Sequence, residues 1–187
     1  MTKPALDLHR LRQDAILLHG PDDVHRALDR LAVAIEEDLG GSVPVILCVL
    51  TGGIIPAGHL LTRLSFPLEI DYLHASRYRG NTSGSDEISW LCKSQIPLQD
   101  RTVLVIDDIL DEGHTLRAVM DYCKQQAAAH TYSCVLIEKL HDRREPGVTA
   151  DYVGLQVQDK YVFGFGMDYK GYMRNLNGIY TLGPGHE

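Results

Sequence analysis

The feature that most limits what this chain can become is the stretch from Val103 to Leu116, Val-Leu-Val-Ile-Asp-Asp-Ile-Leu-Asp-Glu-Gly-His-Thr-Leu. Its opening run, Val103 to Ile106, is short, apolar and rich in β-branched residues, which suits a strand buried on both faces rather than a helix. Two acids, Asp107 and Asp108, follow at once, and then Asp111, Glu112, Gly113, His114 and Thr115. Leu116, Val119, Met120 and Cys123 recur at helical spacing and predict a helix to about Ala129. A buried strand feeding a turn and a helix predicts an α/β protein with a central parallel sheet flanked by helices. Such sheets bind their ligands outside the carboxyl ends of the strands.

Several common motifs fail here. The chain has no two glycines five apart followed by Lys-Ser/Thr, so it has no P-loop of that kind. An EF-hand needs oxygen ligands at alternate positions, but Ile109 and Leu110 stand two residues after Asp107 and Asp108. The spelling Asp-Asp-x-x-Asp also occurs in prenyl-diphosphate enzymes, where it lies on helices and not at a strand end. What remains is a turn, Asp111 to Thr115, whose backbone N–H groups and helix dipole can wrap an anion. Gly113 permits close approach and Thr115 adds a hydroxyl. Asp107 and Asp108 are acceptors suited to a vicinal diol or a hydrated metal ion. A phosphate beside a diol describes a ribose 5-phosphate.

Composition sets the bounds. At 187 residues the chain suits one domain, 1–187, with a substantial core and room for a small appendage. A formal net charge of −7 argues against a general nucleic-acid or anionic-membrane binder, so an anionic substrate needs local donors or a metal ion. Cys48, Cys92, Cys123 and Cys134 show no Cys-x-x-Cys spacing and read as thiols in a reducing compartment. With neither a secretory apolar region nor a run of ~20 apolar residues, the expected location is cytoplasmic and away from the membrane.

Along the chain, residues 1–20 are weakly patterned, with a short strand near Ile16 to Leu18. Gly20-Pro21-Asp22-Asp23 starts a helix whose apolar face is Val24, Leu28, Leu31, Ile35 and Leu39, ended by Gly40-Gly41. Val43 to Leu50 is a core strand opening into Thr51-Gly52-Gly53 and a helix from Ile54 to about Leu64. Read alone, that glycine turn is equally a phosphate loop and a plain connection. Leu68 to Ala75 and Ile88 to Cys92 read as strands around a polar loop, Ser76 to Glu87, shaped like the tip of a two-stranded ribbon. Tyr132 to Lys139 is a strand, His141 to Gly147 a charged turn, and Asp151 to Val157 a further strand. Lys160 to Tyr169 follows; its Gly164 and Gly166 do not make a dinucleotide fingerprint, since position 169 is Tyr and no helix pattern follows.

Taken together these segments resemble the type I phosphoribosyltransferases, and within them those that act on hypoxanthine and guanine. The resemblance covers roughly residues 5 to 182, with specific motifs at 49–53, 103–116 and 151–176. It implies purine salvage: transfer of 5-phosphoribosyl from phosphoribosyl pyrophosphate to a 6-oxopurine, with Mg2+ as cofactor. It assigns Asp111, close to the purine, as the catalytic residue, a general base or hydrogen-bond partner at N7. Asp107, Asp108, Glu112, Gly113, His114 and Thr115 form the ribose-phosphate site, with His114 lending no more than its backbone N–H. Pyrophosphate falls to Thr51, Gly52 and Arg174, with Thr51 where the family often has Lys. Purine contacts fall to Lys139 (through O6), Tyr161 (stacking), Val162 (backbone) and Met167. Asp107 and Asp168 would hold the metal, and Arg77 and Tyr78 lie on the expected lid, with Arg77 replacing the usual Ser. The resemblance also implies a small hood over the site, mainly from 140–187 with an N-terminal contribution, and a homodimer or homotetramer. Two alternatives stay open: a phosphoribosyl-pyrophosphate-sensing nucleic-acid-binding regulator on the same fold, and a transferase for another base such as xanthine.

Overall fold

The computed structural model describes residues 8–77 and 88–184. In chain order the elements are α1 (Leu8–Asp14), β1 (Ile16–His19), α2 (Pro21–Leu39), β2 (Val45–Leu50), α3 (Ile54–Leu61), β3 (Glu69–Arg77) and β4 (Ile88–Cys92). They continue as β5 (Thr102–Leu110), α4 (His114–Gln125), β6 (His130–Leu140), β7 (Tyr152–Gln158), β8 (Val162–Phe163) and β9 (Ile179–Thr181). Six strands form the main sheet in the order β4-β3-β2-β5-β6-β7. Every neighbouring pair is parallel except β3 with β4, which close as an antiparallel ribbon.

Alternation along the strands sorts the core into two layers. Ile46, Cys48, Leu104, Ile106, Cys134 and Leu136 face α2 and α3. Val45, Leu47, Val49, Val103, Val105 and Val135 face α4, meeting Leu116, Val119, Tyr122 and Cys123. Each such side chain, fully buried, contributes about 1.5–3 kcal/mol. The stripe expected on α2 is the one buried, from Val24 to Leu39. That helix starts at Pro21, where the missing N–H costs nothing, and the Asp23 carboxylate accepts the Gly20 N–H at 3.0 Å.

The structure departs from expectation at several boundaries. The strand beginning at Val103 does not stop before the acids: β5 runs through Asp107 and Asp108 to Leu110, because β6 continues alongside it, Asp107 opposite Val135 and Leu110 opposite Glu138. Helix α4 ends at Gln125 and not near Ala129. Ala127 turns to φ 57°, and the Ala127 and Ala128 N–H groups bond back to Lys124 and Cys123, so that His130 can pair with Thr102. Helix α1 forms where the weak patterning of residues 1–20 predicts only a short strand.

A second sheet, β1-β9-β8, joins the N-terminal and C-terminal segments in antiparallel pairs. Leu11, Phe163, Tyr169 and Leu176 pack beneath it, while Val162, Phe165, Met167 and Ile179 belong to the main core. Of the 140–187 segment, β7 instead edges the main sheet. Cys48, Cys92, Cys123 and Cys134 are free thiols, and burial pushes Cys48, Cys123 and Cys134 up to about 12. Among the described residues no helix is long and apolar enough to cross a membrane.

Candidate active site

The strand order explains where a ligand can enter. From β2 the chain proceeds to β3 on one side, and from β5 to β6 on the other. The connecting helices α3 and α4 lie on opposite faces of the sheet. The chain therefore diverges at the carboxyl ends of β2 and β5, the switch point at which open α/β sheets bind ligands. Pairing between these two strands stops at Cys48 and Ile106, leaving the last four residues of β5 bonded to β6 only. A cleft of about 390 Å³ opens there, lined by 49–52, His74, Ala75, 107–116, Asp168 and Arg174.

One wall is the turn into α4. Gly113 sits at φ 92°, a left-handed conformation that favours glycine, and a Cβ there would press on Val148. No side chain caps the helix, so its first N–H groups remain available at the cleft beside the Thr115 hydroxyl. The His114 ring lies against Glu112 and Glu145, at 3.5 and 3.1 Å. Opposite lies the Thr51-Gly52-Gly53 turn, entered through a cis peptide between Leu50 and Thr51. Gly52 backs directly onto Asp108, so that a Cβ at Gly52 would overlap the Asp108 carboxylate.

The floor is acidic. Asp107 and Asp108 are buried, and the Asp107 carboxylate accepts the Asp108 N–H at 2.8 Å. Burial, and then the adjacent Asp108 charge, push the Asp107 carboxyl well above the ordinary carboxylate value. Burial raises Asp108 too, against the opposing pull of the Asp107 hydrogen bond and the Arg174 guanidinium. Arg174 spans from the C-terminal segment: it donates to the Gly166 carbonyl at 2.6 Å, pairs with Asp168 at 2.7 Å and approaches Asp108 at 3.8 Å. The other oxygen of Asp168 accepts the Gly171 N–H at 2.6 Å.

Asp111 has different company. Lys139, at the end of β6, donates to one carboxylate oxygen at 2.7 Å, and His141 meets the other at 2.6 Å. Burial alone would raise the Asp111 carboxyl, but the hydrogen bonds from Lys139 and His141 outweigh it and hold it below the ordinary value. Sequence reasoning placed His141 only in a charged turn. The signal available was its position two residues after Lys139, which in an extended segment puts both side chains on one face.

Tyr161, Val162 and Met167, expected from the sequence to meet a purine, stand apart from the cleft floor. Tyr161 is half exposed, edge-on to Tyr169, with its hydroxyl on the Asp168 carbonyl. Val162 pairs with Thr181 in the small sheet and its side chain is buried. The Met167 side chain is core, packed with Phe165 and Val162, and is not brought to the cleft. Glu112 faces the cleft with its carboxylate near His114 and Arg143. The Arg77 backbone pairs with Ile88 in the ribbon, whereas its side chain, like Tyr78, lies outside the described residues.

For a metal, the donors facing the cleft are carboxylate oxygens, and no group of three or more His, Cys, Asp and Glu among the described residues forms a ready cage. That set fits Mg2+, which takes one or two carboxylates and completes its shell with water and substrate phosphate.

Known proteins share this fold. A model of the phosphoribosyl transferase domain matches residues 20–170. A hypoxanthine-guanine-xanthine phosphoribosyltransferase of Tritrichomonas foetus is 34% identical over 161 residues, covering 86% of this chain and 87% of that one. A hypoxanthine-guanine phosphoribosyltransferase of Staphylococcus aureus is 29% identical over 163 residues, 87% of this chain and 90% of the other. The crystal structure of a hypoxanthine phosphoribosyltransferase from Staphylococcus aureus matches with a TM-score of 0.87 at 28% identity, over 94% of this chain and 95% of that one. With the domain match spanning most of the sequence and the fold shared throughout, the chain belongs to the phosphoribosyl transferase domain family.

Proposed function

We propose that the protein is a purine-salvage transferase that joins hypoxanthine or guanine to the ribose of phosphoribosyl pyrophosphate, releasing pyrophosphate and inosine or guanosine monophosphate. The observation that carries this reading is the division of the acids around one cleft: a buried pair, Asp107 and Asp108, beside an uncapped helix start, and Asp111 apart from them on Lys139. The relatives' names favour such an enzyme over a nucleic-acid-binding regulator on the same fold.

In this mechanism the N–H groups of 111–115 and Thr115 hold the 5-phosphate, with Glu112, Gly113 and His114 contributing backbone. Asp107 and Asp108 orient the ribose hydroxyls, a positioning role. Thr51, Gly52 and Arg174 receive the pyrophosphate. Lys139 donates to O6 of the purine, Tyr161 stacks on its ring, and Val162 offers backbone groups, its side chain being buried; Met167, buried and with its N–H and C=O both bonded to Gly164, makes no purine contact. The purine N9 lone pair forms the bond to C1 of the ribose while the C1–oxygen bond breaks and its electron pair leaves with pyrophosphate. Asp111 accepts the proton from N7. As Lys139 moves to the purine, Asp111 loses a neighbouring cation and becomes more basic, which times its proton affinity to the presence of the base. Asp107 and Asp168 would hold Mg2+, which when bound neutralises charge on the leaving pyrophosphate. Arg77 and Tyr78 belong to a lid that excludes water. The enzyme is further proposed to be cytoplasmic, in keeping with its free thiols, and a homodimer or homotetramer.

The test is incubation with Mg2+, phosphoribosyl pyrophosphate and hypoxanthine, guanine or xanthine separately, with nucleotide read by chromatography. Hypoxanthine or guanine should be converted, the xanthine arm sets the breadth of specificity, and no nucleotide from any base would refute the proposal.

A further inference from the structure

We infer that His141 is the positioning residue for Asp111, holding its carboxylate in place while Lys139 leaves it for the base. The inference rests on the transferase reading above. Its starting point is that the two oxygens of Asp111 have separate donors: Lys139 on one at 2.7 Å, His141 Nε2 on the other at 2.6 Å. Both donors cannot have the same duty. In the transferase reading Lys139 is drawn toward purine O6, which loosens its bond to Asp111. An aspartate whose only anchor departs gains χ freedom at the moment its geometry matters most. His141 is what remains.

The imidazole is built for that task. Its side chain is only 3% exposed. The Arg143 backbone N–H donates to Nδ1 at 3.1 Å, so Nδ1 is the acceptor nitrogen and the ring proton sits on Nε2, directed at Asp111. The turn carrying the ring is itself fastened on several sides. Arg143 makes a bidentate pair with Asp159 at 2.7 and 2.9 Å. Arg144 bonds Glu138 at 2.6 Å and the Lys139 carbonyl at 2.8 Å, and the Glu145 N–H donates to the Glu112 carbonyl at 2.8 Å. These last two contacts tie the His141 turn to β6 and to the turn that carries Asp111. The ring therefore keeps its place when Lys139 moves.

The test compares His141→Phe, which keeps ring volume without the N–H, and His141→Gln, whose amide N–H2 reaches near the Nε2 position. Each is made alone and with Asp111→Asn, and kcat, KM for phosphoribosyl pyrophosphate and thermal midpoint are measured. His141→Phe should lower kcat about tenfold to a hundredfold, the scale on which misplacing a reacting group costs rate, with that KM changed less than about twofold. His141→Gln should recover most of the loss, and His141→Phe should cost little more once Asp111→Asn is present. Undiminished kcat in His141→Phe, or an equal loss with and without Asp111→Asn, would overturn the inference while wild-type turnover left the transferase reading intact. Absence of wild-type turnover would instead remove the reading on which it stands.

Discussion

Asp107 shows how a single residue can work against the fold that contains it. Its carboxyl is buried beside Asp108 and displaced upward from its ordinary value by that burial and by the neighbouring charge. A carboxyl with a raised folded value favours folding at low pH, and that contribution is lost as pH rises through the raised value. Asp107→Asn removes the ionisation and keeps an oxygen for the Asp108 N–H. The substitution should stabilise the protein near pH 7.5 by on the order of 1 kcal/mol, about 2–4 °C in melting temperature. The gain should close as pH falls toward ~4, where the ordinary Asp value lies. Activity should fall at least tenfold. Melting curves across pH, beside a rate assay, check both halves; a neutral-pH melting point unchanged from wild type would contradict the strain assigned to this pair. Asp111 has the opposite sign. Lys139 and His141 hold it low against burial, so its contribution to stability is present above the ordinary Asp value and is lost as pH falls through the lowered one.

At the scale of elements, the cleft is made by two junctions that face each other, β2 into α3 and β5 into α4. The first depends on Gly52 having no side chain, since a Cβ would enter the space of the Asp108 carboxylate. Gly52→Ala should therefore displace Asp108 and lower kcat/KM for phosphoribosyl pyrophosphate at least tenfold, the cost of roughly ångström-scale misplacement. The circular dichroism spectrum should stay unchanged because β2 and α3 keep their own contacts. Wild-type kinetics in this variant would show that the acid has room the packing denies. The second junction needs Gly113 in its left-handed turn, which directs the α4 start toward the cleft.

Across the whole molecule, the C-terminal segment closes back on the sheet. Gly166, at φ 110°, packs against the Gly52 carbonyl and Asp108, and Arg174 links Gly166 and Asp168 to the acidic floor. Substrate bound across these parts should stabilise the molecule as one unit. With Mg2+ and phosphoribosyl pyrophosphate at a hundred times the dissociation constant, mass action adds about 2.7 kcal/mol. That corresponds to a rise of roughly 5–10 °C in melting temperature for a chain of this size. Calorimetry with and without both ligands measures it, and no rise at saturating ligand would argue against binding in the folded state.

How much of this was legible beforehand follows from the range of each interaction. The unbroken apolar run of Val103, Leu104, Val105 and Ile106, the stripe on α2 and the turn glycines are local, so the sequence alone determined a parallel α/β sheet and a strand-turn-helix site with Asp107, Asp108 and Asp111 at its centre. It did not determine where β5 ends, because that is decided by β6 lying alongside. Nor did it distinguish Met167, buried in the core by the return of the C-terminal segment, from a residue at the cleft. The partners of Asp111 were equally hidden: Lys139 and His141 stand 28 and 30 positions away in sequence, and only the pairing of β5 with β6 brings them onto its two oxygens. Periodicity reports what a residue's near neighbours require. Charge pairing across strands depends on register, and register exists only once the sheet has formed.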